Sequence, residues 1–235
     1  MSFLTGQWRR LIMANYAIDP AVLAPFVPPN TELDSHNGTT YVSLVGFLFK
    51  DTKLLGIPIP FHRDFEEVNL RFYVKYKDGD EWKRGATFIS EIVPKPMLTL
   101  VANTLYNEHY RTLRMRHEWR SDDESMLTRY DWKFAGKWQS MAVTTDVISQ
   151  PIVDGSDFEF ITEHYWGYTG AGKNSSFEYE VRHPRWEIYP VQSYEIDTDF
   201  GALYGPPFAF LNDAIPRSVF LAEGSEISVE NKRRV

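Results

Sequence analysis

The sequence predicts an α+β fold dominated by antiparallel β-strands. Aromatic residues make up 15% of the 235-residue chain, with 7 Trp, 13 Tyr and 16 Phe, and aromatic side chains favour strands. Residues 67–76 alternate, with Val68, Leu70, Phe72 and Val74 on one face and Asn69, Arg71, Tyr73 and Lys75 on the other. Short turn signals, Asn37-Gly38, Asp78-Gly79-Asp80 and Ala135-Gly136, separate such segments and suit hairpins.

Residues 2–18 read as a first strand. Asp19 is a good helix N-cap and Pro20 a good first helical residue, so a short helix runs to Phe26, where Pro28-Pro29 stops it. A strand over 41–49 follows Asn37-Gly38. Residues 54–65 read as a loop, because Gly56, Pro58 and Pro60 oppose long pairing. Segments 67–76 and 81–93 are expected to pair antiparallel as a hairpin. Pro96 opens a helix to about residue 107, with Met97, Val101 and Leu105 stacked on one face. Further strands are expected over 109–120, 126–134, 137–148, 177–181 and 218–229, and a second, exposed helix over 156–166. The terminal Lys232-Arg233-Arg234 reads as a frayed tail. With no internal repeat and no long linker, residues 1–235 are expected to form one domain.

Bulk properties narrow the function. A net charge of −7 argues against a nucleic-acid partner. The absence of cysteine excludes disulfides, a thiolate nucleophile and zinc–cysteine sites. The apolar run 41–49 is too short to span a bilayer, and Trp8-Arg9-Arg10 interrupts any signal-peptide core, so a cytoplasmic protein without a membrane partner is expected. The histidines form no metal-binding spacing, and neither metal nor cofactor is expected. Gly167 to Asn174 resembles a phosphate-binding loop, but Asn174 replaces the metal-binding hydroxyl and a strand pattern follows, so it reads as a glycine-rich hairpin loop. No nucleophile-elbow motif is present.

Two segments carry candidate chemistry. In Pro94-Lys95-Pro96, Lys95 stands at the N-terminus of the helix that Pro96 opens. The positive end of the helix dipole disfavours an ammonium there, and a neutral lysine attacks carbonyl carbons. The bland alternative is a solvated loop lysine. In Glu67-Val68-Asn69-Leu70-Arg71, period two puts Glu67, Asn69 and Arg71 on one face. Such a row is either a solvated strand face with one ion pair or the polar wall of a pocket, with the arginine holding a carboxylate.

Several stretches together resemble the YqjF-like family, an uncharacterised bacterial family grouped with the acetoacetate-decarboxylase-like superfamily. They are Trp8-Arg9-Arg10 through Asp19-Pro20 to Val27-Pro28, then Glu67-Val68-Asn69-Leu70-Arg71, then Phe160-Ile161-Thr162-Glu163-His164-Tyr165-Trp166, and Arg182-His183-Pro184-Arg185-Trp186. The resemblance implies a barrel-like antiparallel sheet with a few flanking helices. It also implies a small-molecule ligand bearing a carbonyl or carboxylate. Arg9 and Glu67 match the decarboxylase's strand arginine and glutamate, and Pro94-Lys95 matches the start of its Schiff-base lysine motif. The resemblance thus assigns Lys95, Glu67 and Arg9 to catalysis, with Arg71 and Asn69 binding the ligand, in a decarboxylase-like lyase. Pro96 departs from the pattern, standing where the enzyme has a second lysine. Keeping a lysine neutral near pH 7 needs about 4.6 kcal/mol, whereas a helix N-terminus supplies about 0.3–1 kcal/mol. Burial, Arg9 or Arg71 would have to supply the rest. The alternatives are a non-enzymatic binding module that uses the same cavity without the lysine, and a structural or interaction protein with a filled core.

Overall fold

A computed structural model describes residues 2–235, apart from the side chains of Leu105 and Tyr106. The chain opens with β1 (Leu4–Ala17), α1 (Pro20–Leu23), β2 (Thr31–Leu33), β3 (Tyr41–Leu54) and β4 (Ile57–Pro58). The hairpin β5 (Phe65–Asp78) and β6 (Glu81–Val93) leads into α2 (Pro96–Val101). Next come β7 (Tyr110–Thr112), β8 (Arg114–Ser121), β9 (Met126–Phe134), β10 (Lys137–Thr145) and β11 (Gln150–Pro151). The rest is α3 (Asp157–Thr162), β12 (Trp166–Gly170), β13 (Ser176–Arg182), β14 (Glu187–Tyr189), β15 (Val191–Asp197), α4 (Phe200–Tyr204), β16 (Ser218–Val229) and β17 (Arg233–Arg234).

The expected mixture of mostly antiparallel strands and few helices is what the chain forms. The large sheet runs β16-β1-β3-β5-β6-β12-β13, and β13 pairs back onto β16 through Val181–Val229 and Arg182–Ser228. The sheet therefore closes into a barrel, which leaves these strands few free edges. β5 and β6 pair antiparallel from Val68–Ile92 to Asp78–Glu81, around the turn at Gly79-Asp80. Among the described residues two pairings are parallel, β12 with β6 and β7 with β6. A second sheet, β15-β10-β9-β8, is antiparallel throughout.

Both faces of the barrel wall are buried, so period two sorts side chains into two cores. On β5, Val68, Leu70, Phe72 and Val74 point outward and pack with Tyr130, Trp132, Met141 and Val143 of the second sheet. Phe65 and Tyr73 point inward, among Leu11, Met13, Phe47, Phe49, Phe160 and Trp186. Each fully buried Val, Leu or Phe contributes about 1.5–3 kcal/mol, so the outward row of β5 anchors the two sheets to each other.

Several local expectations are corrected. The helix at 156–166 is shorter, Asp157–Thr162 with Ser156 as N-cap, and it buries Phe160, Ile161 and Thr162. It is not an exposed helix, because Phe160 fills the barrel against Tyr41, Tyr73 and His164. The strand at 109–120 splits, since Tyr110–Thr112 joins the barrel and Arg114–Ser121 joins the second sheet. The helix after Pro96 is α-helical only to Val101 and continues as a π-turn over Ala102–Tyr106. The stacking expected of Leu105 lies outside the described residues. The C-terminal tail is not frayed: Arg233–Arg234 pairs with β13. Arg233 binds the fully buried side chain of Glu178 at 2.6 Å and Asp78 at 2.5 Å, and a buried carboxylate needs such a cation. Gly170 to Ser176 is the β12–β13 hairpin loop. Among the described residues, no helix is long and apolar enough to cross a membrane.

Candidate functional site

The barrel interior holds a cavity of about 410 Å³. Its wall is mostly apolar, with Trp8, Phe49, Phe65, Phe88, Trp166 and Trp186 contributing large faces. Exposed Ile59, Pro60 and Met97 also reach it and mark its mouth, between the β4–β5 loop and α2. The polar groups on the wall include Glu67, Arg71, Glu91, Glu108, Tyr110, His164 and Tyr179.

β5 delivers Glu67 and Arg71 to the same wall, and Asn69 between them donates from Nδ2 to Glu67 Oε1 at 3.0 Å. Asn69 is 2% exposed and supports the glutamate without lining the cavity itself. Glu91 lies directly across from Asn69 on β6. A register shift between Leu70 and Arg71 then sets Phe88 opposite Arg71. This bulge turns the inward positions of β6 from Glu91 to Phe88 and Ala86, a spacing of three and then two. Tyr110, on the neighbouring β7, donates to Glu67 Oε2 at 3.3 Å, and Tyr179 donates to Glu108 Oε1 at 3.1 Å. Gly167 makes room for Tyr179, because a Cβ there would overlap the tyrosine ring.

Burial governs the electrostatics. It pushes the Glu67 carboxyl up to about 7, with Asn69, Tyr110 and Arg71 pulling against it. Glu108 is pushed up to about 8 by burial, with the Glu67 charge adding to it. Glu91 is raised well above the usual range by burial and by the charges of Glu108 and Glu67. His164 is driven down to about 4 by burial, so its imidazole is neutral near pH 7. Its Nε2 lies 3.2 Å from Asp34, while its Nδ1 is buried without a partner. Asp34 is pushed up by burial, but hydrogen bonds from His164 and Arg84 outweigh this and hold it at about 2.

Arg71 is the cation of this wall. Its Nη2 reaches only the Ile161 carbonyl at 3.5 Å and Met13 Sδ at 4.0 Å, and its buried Nε has no partner. The guanidinium also sits 5.6 Å from the Tyr73 ring centroid. Among the described residues, no carboxylate lies within 4.0 Å of it. A guanidinium stays charged at any ordinary pH, so a buried edge without an anion is a site waiting for one.

The remaining expected site residues stand elsewhere. Arg9 lies on the outer side of the wall, hydrogen-bonded to Gln7 and 3.9 Å from Glu223. The cause is a bulge in β1: Arg10 takes φ 55°, and pairing with β3 slips between Arg9 and Ile12. The slip puts Trp8, Leu11 and Met13 inside and turns Arg9 out. Gly224 permits the close approach of β16 there, since a Cβ would overlap the Trp8 carbonyl. Lys95 caps α2 in extended conformation and does not line the cavity. Its charge acts on Glu66, the outward neighbour of Glu67, which pairs with His117 at 2.7 Å.

The sequence reading missed Trp8, Glu91, Glu108, Tyr110, His164 and Tyr179. One signal was present: Glu91 interrupts an otherwise uncharged segment, Thr87 to Val93, and a charge in a two-sided buried strand marks a special position. No group of three or more His, Asp or Glu side chains among the described residues is placed to hold a metal ion.

The DUF2071 family of uncharacterized conserved proteins matches residues 5–226. The chain belongs to that family. A curated relative, the uncharacterized protein YqjF of Bacillus subtilis (strain 168), is 28% identical over 190 residues, covering 79% of this chain and 75% of the relative. Solved structures share the fold. The acetoacetate decarboxylase of Legionella pneumophila superposes with a TM-score of 0.66 at 12% identity, over 99% of this DUF2071 chain and 86% of its own. An acetoacetate decarboxylase-like enzyme from Sphingomonas wittichii RW1 gives 0.68 at 12% identity, over 100% and 94%. The enduracididine biosynthesis enzyme MppR, in complex with pyruvate, gives 0.68 at 12% identity, over 100% and 91%. The expected YqjF-like membership and acetoacetate-decarboxylase-like barrel are therefore those of this chain. At 12% identity these structures establish the fold and leave the chemistry to the site itself.

Proposed function

We propose that this DUF2071 protein binds a small, largely apolar organic acid inside its barrel, with the ligand carboxylate on Arg71. The observation that carries this reading is the unpaired, partly buried Arg71 guanidinium facing an aromatic-lined cavity. The glutamates of the same wall support it. Burial pushes Glu108 up to about 8 and raises Glu91 as well, which favours their neutral forms and lessens the repulsion of an anion. The cavity volume lies within the range of small-ligand sites. Of the readings carried by the sequence, a Schiff-base lyase, a binding module and a structural protein with a filled core, the geometry favours a binding site that operates without Lys95, because among the described residues no lysine lines the cavity.

The test is calorimetric titration with 4-methylpentanoate and with its uncharged amide. The acid is expected to bind and the amide to bind weakly or not at all. A charge-assisted hydrogen bond is worth about 1.5–3 kcal/mol, so Arg71→Gln is expected to weaken the acid roughly 10- to 150-fold. Equal affinity for acid and amide, or for wild type and Arg71→Gln, would overturn the reading.

A further inference from the structure

The carboxyl groups beside Arg71 are more than a tolerant wall. Glu67 and Glu91 are 3% and 2% exposed, yet both reach the cavity. They belong to adjacent strands and flank Asn69: Glu91 stands directly opposite it, and Glu67 is two residues along the same face. Such diagonal positions are about 7–8 Å apart at the backbone, and side chains as long as glutamate can converge across that gap. Arg71 is two residues beyond Asn69 in the other direction, on the same inward face. One oxygen of Glu91, Oε2, is buried with no hydrogen-bond partner. An orphaned carboxyl oxygen of this kind costs free energy unless a bound molecule engages it. Glu67, by contrast, is oriented by Asn69 on one oxygen and Tyr110 on the other.

We infer that the site enolises a small 2-oxo acid: Arg71 holds the carboxylate, Glu91 hydrogen-bonds the ketone oxygen, and Glu67 exchanges the proton on C3. This rests on the binding reading above and specifies its ligand class. A 2-oxo acid places carboxylate, ketone and acidic C–H on three consecutive carbons, and the wall offers a cation, an acid with one unpartnered oxygen and an oriented carboxyl around one residue. The Glu67 carboxylate takes the C3 proton, and the C–H electron pair becomes the C2–C3 double bond. The carbonyl π pair moves onto oxygen, which receives the Glu91 proton. Reversal returns a proton from Glu67 to C3, so no co-reactant is consumed. The electrostatics agree: burial pushes Glu67 up to about 7, so it can serve as the base, and burial together with the charges of Glu108 and Glu67 raises Glu91, which favours its protonated form. The apolar wall excludes water from the enol and strengthens the hydrogen bond between its oxygen and Glu91.

The probe is 4-methyl-2-oxopentanoate in deuterium oxide, with loss of the C3 proton signal followed by NMR. Wild type is expected to speed exchange above the buffer rate. Glu67→Gln is expected to lower that rate by roughly 100- to 10,000-fold, the range for a lost general base, while still binding 4-methylpentanoate in the titration above. Wild type that binds 4-methylpentanoate but leaves exchange at the buffer rate would overturn the enolisation and leave the binding reading standing. Failure of wild type to bind either acid would overturn both. Exchange unchanged in Glu67→Gln would also overturn the assignment. Should that variant fail to fold, Glu91→Gln is read in the same assay, and an unchanged rate there refutes the pairing of roles.

Discussion

Replacing Glu67 by glutamine is expected to flatten the pH dependence of stability, and the size of the effect follows from its burial. In the unfolded chain this carboxyl ionises near its ordinary value of 4.5, whereas in the fold burial pushes it up to about 7. Between those values the native state binds more protons than the unfolded state, so stability falls as pH rises through the window. The gap of about 2.5 units corresponds to about 3 kcal/mol at pH values well above 7, at about 1.36 kcal/mol per unit. The substituted amide carries no charge to desolvate and keeps one acceptor oxygen, so one of the two donors, Asn69 or Tyr110, faces an NH2 in place of its acceptor. The assay is urea denaturation of wild type and Glu67→Gln at pH 4 and pH 8.5. Wild type is expected to lose about 3 kcal/mol more than the variant over that interval, so that the variant is the more stable protein at pH 8.5. Parallel stability curves would refute the claim that Glu67 is a desolvated carboxyl, and with it the base assigned to the cavity.

Other outcomes follow from the same physics. Asp34 is held at about 2 by His164 and Arg84, so it contributes stability that is present above its ordinary 3.8 and lost as pH falls through about 2. Asp34→Asn is expected to cost about 2 kcal/mol at pH 6 and little at pH 1.5, read by denaturant melts; an equal cost at both would remove the ion pair from the account. Borohydride treatment with a β-keto acid is expected to label Lys95 no more than surface lysines such as Lys53 and Lys137, by peptide mass spectrometry. A selective adduct on Lys95 would restore the Schiff-base reading.

The fold was legible where period two and turn chemistry agree. The β5–β6 hairpin followed from the alternation at 67–76 and the glycine of the Asp78-Gly79-Asp80 turn, and its register put Glu67 and Arg71 on one face. The site was legible only along that unbroken stretch. Arg9 reads as an inward residue until the bulge at Arg10, which reverses the alternation and hands the interior to Trp8. Glu91 and Phe88 are likewise brought to one wall by the slip in β6, and a bulge leaves little trace in residue type. Glu108, Tyr110, His164 and Tyr179 come from segments far apart in the chain, and their meeting is set by the parallel pairings onto β6 and by barrel closure. Those contacts are non-local, and no window of sequence contains them. The tail at Arg233 shows the same limit, since its order depends on the buried Glu178 of another strand.

The most direct test of the account is a crystal structure of the protein soaked with 4-methyl-2-oxopentanoate. The expected result is a ligand inside the barrel with its carboxylate within about 3 Å of the Arg71 guanidinium, its ketone oxygen on Glu91 and its branched tail among Trp8, Phe65 and Trp186. A ligand seated with Arg71 unengaged, or joined covalently to Lys95, would contradict it.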